Sequence, residues 1–268
     1  MAVGAGGPGG GWRLTSASVT GTRHAADDEA CEDALALCSV PDREGGEPMV
    51  VVAVADGAGG AARGGDGARL AVTAVAAGLG AALGTAPDTS RDWSEVLTGC
   101  LGQARDVLVA AATCPASVGE LATTLIVVVL APAVIAAAQV GDGAIVVSRG
   151  EGDLDLVAGA PGTEYLNETT FITSSRWLDA LRVEVRPRHG VTGIAVMTDG
   201  LSLLALDLAS GEPYPGFFVP LLSFAASDAS DAAQRQAELA AFLSSERVCS
   251  RTDDDKTLVL AVPSCGLP

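Results

Sequence analysis

Residues 49–68 read MVVVAVADGAGGAARGGDGA. The first seven, Met49–Ala55, are uninterrupted apolar residues and include four valines. A short β-branched run of this kind predicts a central strand covered on both faces. It stops at Asp56-Gly57, a residue pair that turns a chain sharply. The glycines beyond it lead into an Ala- and Leu-rich stretch that predicts a helix over Gly67–Leu83.

Working outward, the same reading finds further strands over Trp12–Thr20 and Ala34–Val40 before the run. After it come paired strands, Thr123–Leu130 and Ala133–Val140, a tight turn at Gly141-Asp142-Gly143, and strands over Ala144–Ser148 and Leu154–Val157. Val191–Met197 is a second buried run, and it too ends in Asp-Gly, at Asp199-Gly200. Thr257–Val262 closes the chain as a strand directly after Asp253-Asp254-Asp255. Helices are predicted over Trp93–Ala112, with Asp92 as N-cap, and over Leu201–Leu208 and Ala229–Leu243. Strands in groups with helices in blocks between them favour α+β over a regular βαβ alternation. Two sheets with helices on their outer faces would bury every apolar strand.

Of the 268 residues, 49% are hydrophobic and only 4% aromatic, so Ala, Val and Leu must fill the core. The net charge is −17, and Lys256 is the sole lysine. A field of that sign repels nucleic acid and anionic membranes, and it permits cation binding. The stretch Leu125–Val140 is too short to span a bilayer and is interrupted by Pro132. Six cysteines without CxxC spacing indicate reduced thiols rather than a zinc or disulfide framework. None is followed closely by the arginine and backbone-NH loop that a cysteine phosphatase needs. The N-terminus has no basic region followed by an apolar core, so it reads as no signal peptide. Residues 1–11 read as a flexible Gly-rich tail, 12–263 as the folded domain and 264–268 as a C-terminal tail. A cytoplasmic location is expected.

Carboxylates recur where apolar strands begin or end: Glu32-Asp33, Asp56, Asp199 and Asp254. Neighbouring strands would gather four or five of them in one place, and bound cations would relieve the repulsion. All-oxygen ligation suits Mg²⁺ or Mn²⁺. Two such ions can orient and deprotonate a water and stabilise charge on a phosphoryl oxygen, with no side-chain nucleophile. Singly, each Asp-Gly also reads as a turn, and the triple Asp as a solvated acidic loop.

At these residues the sequence resembles the type 2C (PPM) metal-dependent protein phosphatases, in particular their compact bacterial branch. The resemblance runs in order through VADGAGG at 54–60, ATTL at 122–125, VGDG at 140–143, MTDGL at 197–201 and DDKT at 254–257. Glu164–Thr169 is similar to a segment common in the bacterial branch. The resemblance implies a four-layer α-β-β-α sandwich with two mainly antiparallel sheets. It also implies that Asp56 bridges two Mg²⁺ or Mn²⁺ ions and that the Gly57 carbonyl binds one. Asp199 and Asp254 would complete the other, with Asp33 and Glu32 binding directly or through water. Arg23 or His24 would take the place of the family's phosphate-gripping arginine, with proton transfer a second role for His24; His189 reads as a surface turn residue.

Ala58 stands where many members carry His, and Leu203 where many carry the Asp that helps hold a third ion; Asp142 remains. The implied activity is hydrolysis of phosphoserine or phosphothreonine in a protein substrate, opposing a bacterial kinase. The alternatives are a catalytically weak regulatory or phosphoprotein-binding domain and a phosphatase for small phosphorylated metabolites. The loop over 151–170 would shape the substrate surface.

Overall fold

The structure, a computed structural model, describes residues 11–41, 46–84, 91–150, 152–158, 169–207 and 209–264. In chain order its elements are β1 (Trp12–Val19), α1 (Thr22–Ala26), β2 (Ala34–Val40), β3 (Met49–Ala55), α2 (Gly64–Leu83) and α3 (Trp93–Ala111). A 3₁₀ turn (Pro115–Leu121) leads to β4 (Leu125–Leu130), β5 (Val134–Val140), β6 (Ala144–Gly150), β7 (Asp153–Ala158), α4 (Trp177–Ala180), β8 (Arg182–Pro187) and β9 (Gly193–Met197). A second 3₁₀ turn (Asp199–Leu201) precedes α5 (Ser202–Ala205), α6 (Pro215–Ala226), α7 (Ala232–Leu243), α8 (Glu246–Cys249) and β10 (Lys256–Pro263). The strands form two five-stranded sheets, ordered β2-β3-β4-β5-β8 and β1-β10-β9-β6-β7, and every pairing is antiparallel. The expected α+β class with antiparallel sheets is what the chain adopts.

The described residues divide into two compact units, each built on one sheet. The first takes Glu32–Asp142 and 169–189. Its centre is the valine run: all seven residues of β3 are buried, and so are all six of β4. Along β3, Met49, Val51, Ala53 and Ala55 share one core with Ala68, Ala71, Val72, Val75 and Leu79 of α2 and Leu97, Leu101, Ala104 and Leu108 of α3. The alternate residues Val50, Val52 and Val54 point the other way and are buried as well, which is why the run has no polar member. Each such valine contributes about 1.5–3 kcal/mol by leaving water. By length and composition α2 could cross a membrane. Here nine of its residues are buried against the unit's own core. Leu125–Val140 is two paired strands with a turn at Ala131–Val134, as its Pro132 required.

The second unit takes 11–31, 143–158 and 190–264. Its core joins Ala144, Val146, Ala195, Met197, Leu258 and Leu260 from the sheet to Phe217, Phe218 and Leu222 of α6 and Leu239 and Leu243 of α7. Three of the aromatic residues cap this sheet: Phe217 and Phe218 stack edge to face at 5.1 Å, and Phe217 meets Phe242 at 6.4 Å.

The longest elements that were not anticipated are β8 and α6; the short turns of helix α1, α4 and α8 were not anticipated either. β8 alternates charge with valine, Arg182-Val183-Glu184-Val185-Arg186, and ends at Pro187; such a pattern survives only on a sheet edge, where one face and one side meet solvent. α6 opens at Pro215, where the missing N–H costs nothing, and tolerates Pro220 in its interior. The helix expected over Leu201–Leu208 shrinks to a 3₁₀ turn followed by the single turn of α5; Leu208 lies outside the described residues. Helix α7 starts at Ala232 rather than Ala229, because Asp231 caps it through the Gln234 N–H. None of the five described cysteines forms a disulfide.

Candidate functional site

In the first unit the strand register sets up the site. β2 and β3 are antiparallel with Ala34 opposite Ala55. One step further along, Asp33 follows as the counterpart of Asp56, and the Gly57 N–H donates to the Glu32 carbonyl at 3.2 Å. Three acidic residues thus stand at the end of one strand pair, Asp33 buried and Glu32 and Asp56 partly so.

The backbone of Asp56 is fastened on both sides. Its N–H donates to Thr124 Oγ1 at 2.9 Å, and its carbonyl accepts from Thr123 Oγ1 at 2.8 Å and from the Thr124 N–H at 2.8 Å. Gly57 is required by close approach: a Cβ there would stand 2.3 Å from the Gly64 carbonyl carbon. This contact lets α2 begin three residues earlier than its composition suggested, with its first turn against the Asp56 loop. Arg69 of α2 and Arg63 just before it serve Asp66: hydrogen bonds from Arg69 and then Arg63 hold its carboxyl below the usual range. Asp142, at the end of β5, accepts from Thr169 Oγ1 at 2.5 Å through Oδ2, while its buried Oδ1 has no hydrogen-bond partner among the described residues. Of the Glu164–Thr169 segment, only Thr169 is among the described residues.

In the second unit three segments meet at one sheet end. Thr198 and Thr257 pair across β9 and β10: the Thr198 N–H donates to the Thr257 carbonyl at 3.2 Å, and the Thr257 N–H to Thr198 Oγ1 at 3.0 Å. Asp199-Gly200 follows and packs on the closing acidic motif so tightly that a Cβ on Gly200 would lie 1.9 Å from the Asp255 carbonyl oxygen. Arg23 arrives from α1; its N–H donates to the Asp253 carbonyl at 3.0 Å, and its half-exposed guanidinium stands 3.4 Å from Asp254 Oδ1. His24 is buried, with Nδ1 3.0 Å from Asp255 Oδ2. Lys256, the only lysine, is fully buried and donates from Nζ to the Asp254 carbonyl at 2.9 Å. His189 is exposed in a turn, as its sequence context indicated.

A family model described as Protein phosphatase 2C matches residues 20–244. The chain belongs to the protein phosphatase 2C family. The Serine/threonine-protein phosphatase 3 of Escherichia coli (strain K12) is 36% identical over 263 residues, spanning 94% of this chain and 98% of that protein. Among solved structures, the catalytic domain of the serine threonine protein phosphatase PstP in complex with two manganese ions aligns with a TM-score of 0.63 at 17% identity, over 95% of this chain and 99% of that one. Serine/threonine phosphatase Stp1 from Staphylococcus aureus aligns with a TM-score of 0.61 at 12% identity, over 97% and 99%. At such identities the likeness is one of fold.

For a phosphatase 2C the donor set has the right chemistry. The first unit offers carboxylates and the Gly57 carbonyl and the second offers carboxylates, the hard oxygen donors that Mg²⁺ and Mn²⁺ prefer. Carboxylates brought together at a strand end would repel one another unless a cation intervened. Of the candidate carboxylates, Glu32, Asp33 and Asp56 belong to the first unit and Asp199 and Asp254 to the second. Among the described residues no group of three or more His, Cys, Asp or Glu side chains is drawn up to hold a metal ion.

Sequence reading also passed over residues that the geometry makes prominent. Thr123 and Thr124 figured only as part of a motif, yet they anchor Asp56. Asp255 read as part of an acidic loop, yet it is 3% exposed. The one available signal was Lys256: a single lysine beside Asp-Asp, ahead of an apolar strand, is a candidate for buried charge.

Proposed function

We propose that this phosphatase 2C chain is a serine/threonine protein phosphatase that hydrolyses phosphomonoesters of a protein substrate with Mg²⁺ or Mn²⁺. The observation that carries the reading is the 36% identity to a serine/threonine phosphatase along 94% of the chain, with the carboxylates placed at strand ends. The proposed ligands are Glu32, Asp33, Asp56 and the Gly57 carbonyl in the first unit and Asp199 and Asp254 in the second.

The divalent ions would lower the pKa of the attacking water and neutralise charge developing on the phosphoryl oxygens. The chain's own part is to hold its donors still and to bind the phosphate. Threonines 123 and 124 fix the Asp56 backbone, and the Gly200–Asp255 contact fixes the turn that carries Asp199. Arg23, beside Asp254 and half exposed, can turn its guanidinium to a substrate phosphate as a bidentate partner. Phosphoserine or phosphothreonine on a protein that a bacterial kinase has modified is the intended substrate, and the cytoplasm the intended location.

The test is phosphate release from a phosphothreonine peptide. Turnover should require Mn²⁺ or Mg²⁺ and should vanish in Asp56→Ala and in Asp199→Ala while circular dichroism stays native. Full turnover in both variants would remove the proposal. Ala58 and the 56% exposed Leu203 favour, as the second reading, a weakly catalytic regulator; Mn²⁺ binding with no turnover on any phosphopeptide would select it.

A further inference from the structure

Two buried ionisable side chains stand outside the proposed ligand set. His24 is 6% exposed and Asp255 3%. His24 Nδ1 lies 3.0 Å from Asp255 Oδ2, and the Gly21 N–H donates to Asp255 Oδ1 at 2.6 Å. Both carboxylate oxygens are therefore engaged by one short segment, Gly21–His24. Against an ionised Asp255 carboxylate, which only accepts hydrogen bonds, Nδ1 is the donor. The grip continues one residue further: the Asp255 N–H donates to Asp254 Oδ1 at 3.0 Å. The residue held by His24 is thus the one whose own N–H orients the neighbouring carboxylate.

A buried carboxylate that loses a donor must shift or take up water, because leaving it unsatisfied is costly. Any such shift of Asp255 moves the N–H that Asp254 leans on. It also moves Arg23, which is next to His24 in sequence and bonded through its N–H to the Asp253 carbonyl.

We propose that His24 is a positioning residue: by holding Asp255 it keeps the Asp254 carboxylate in its metal-binding orientation. This rests on the reading of Asp254 as a metal ligand. It gives His24 a role distinct from the phosphate contact or proton transfer that its neighbourhood in the sequence suggested. The logic is that of partners behind metal ligands generally, whose loss weakens binding by about 10- to 100-fold.

The test is calorimetric titration of Mn²⁺ into the metal-stripped full chain, with circular dichroism as a check of folding. Wild type should bind, His24→Ala should lose about 10- to 100-fold in affinity, and His24→Asn, whose amide nitrogen takes the place of Nδ1, should stay close to wild type. Wild-type affinity in His24→Ala overturns the proposal, whatever the variant's turnover. Absence of Mn²⁺ binding to the wild-type chain overturns the ligand reading and this proposal with it. If His24→Ala does not fold, His24→Asn against His24→Gln decides: Gln places its amide where Nε2 was, so it should bind more weakly, and equal affinities overturn the assignment.

Discussion

The Thr124 hydroxyl accepts the backbone N–H of Asp56 at 2.9 Å. Thr124 is 4% exposed, so this acceptor is supplied where water has little access. Thr124→Val keeps the shape and deletes the acceptor. It should cost about 1–3 kcal/mol, the penalty for stranding a buried donor, read as a lower urea midpoint at unchanged slope. Thr124→Ser restores the hydroxyl and should recover most of it. A Val variant as stable as wild type would show that the Asp56 loop does not depend on this bond.

The glycines of the loop are not equivalent. A Cβ at Gly57 would collide with the Gly64 backbone, whereas one at Gly60 meets nothing within 4 Å. Gly57→Ala must push the loop off the start of α2. It should cost at least about 1–3 kcal/mol, as overpacking does, and should lower Mn²⁺-dependent turnover. Gly60→Ala should stay within about 0.5 kcal/mol of wild type. Thermal melts of the two variants side by side check this; similar losses in both would contradict the packing.

Burial pushes the Cys100 thiol up from 9.0 to about 12, whereas Cys114 is exposed. Iodoacetamide at pH 8 should therefore label Cys114 in the native protein and spare Cys100, with mass spectrometry of the peptides as the readout. The same shift has a consequence for stability. The native state holds the Cys100 proton to higher pH than the unfolded chain does, so its contribution is complete below pH 9 and is lost as the pH rises toward 12. Cys100→Ala should flatten that alkaline decline; native-state labelling of Cys100 at the rate of Cys114 would refute the burial.

Much of the architecture was legible in the chain itself because its signals are local. β2 and β3 begin and end where the apolar runs do, and Asp92 caps α3 as read, accepting from the Ser94 and Glu95 N–H groups. The Asp-Gly pairs mark the strand ends at 56 and 199 because a continuous apolar strand has to stop where its first carboxylate needs solvent or a cation. β8 and α6 escaped because charge alternation and internal proline resemble loop signals until a sheet edge or a helix start gives them a place.

The sequence by itself determined which residue types stand at the strand ends, since apolar periodicity and turn chemistry act between near neighbours. It did not determine what those residues touch. That Thr124 answers to Asp56, that Gly200 lies on Asp255, and that His24 turns inward to a carboxylate 231 positions away were decided only when antiparallel registers brought distant segments within hydrogen-bond reach. Hydrogen bonds and steric overlap act over a few ångströms in space and carry no trace of separation along the chain, so only the tertiary structure could assign them.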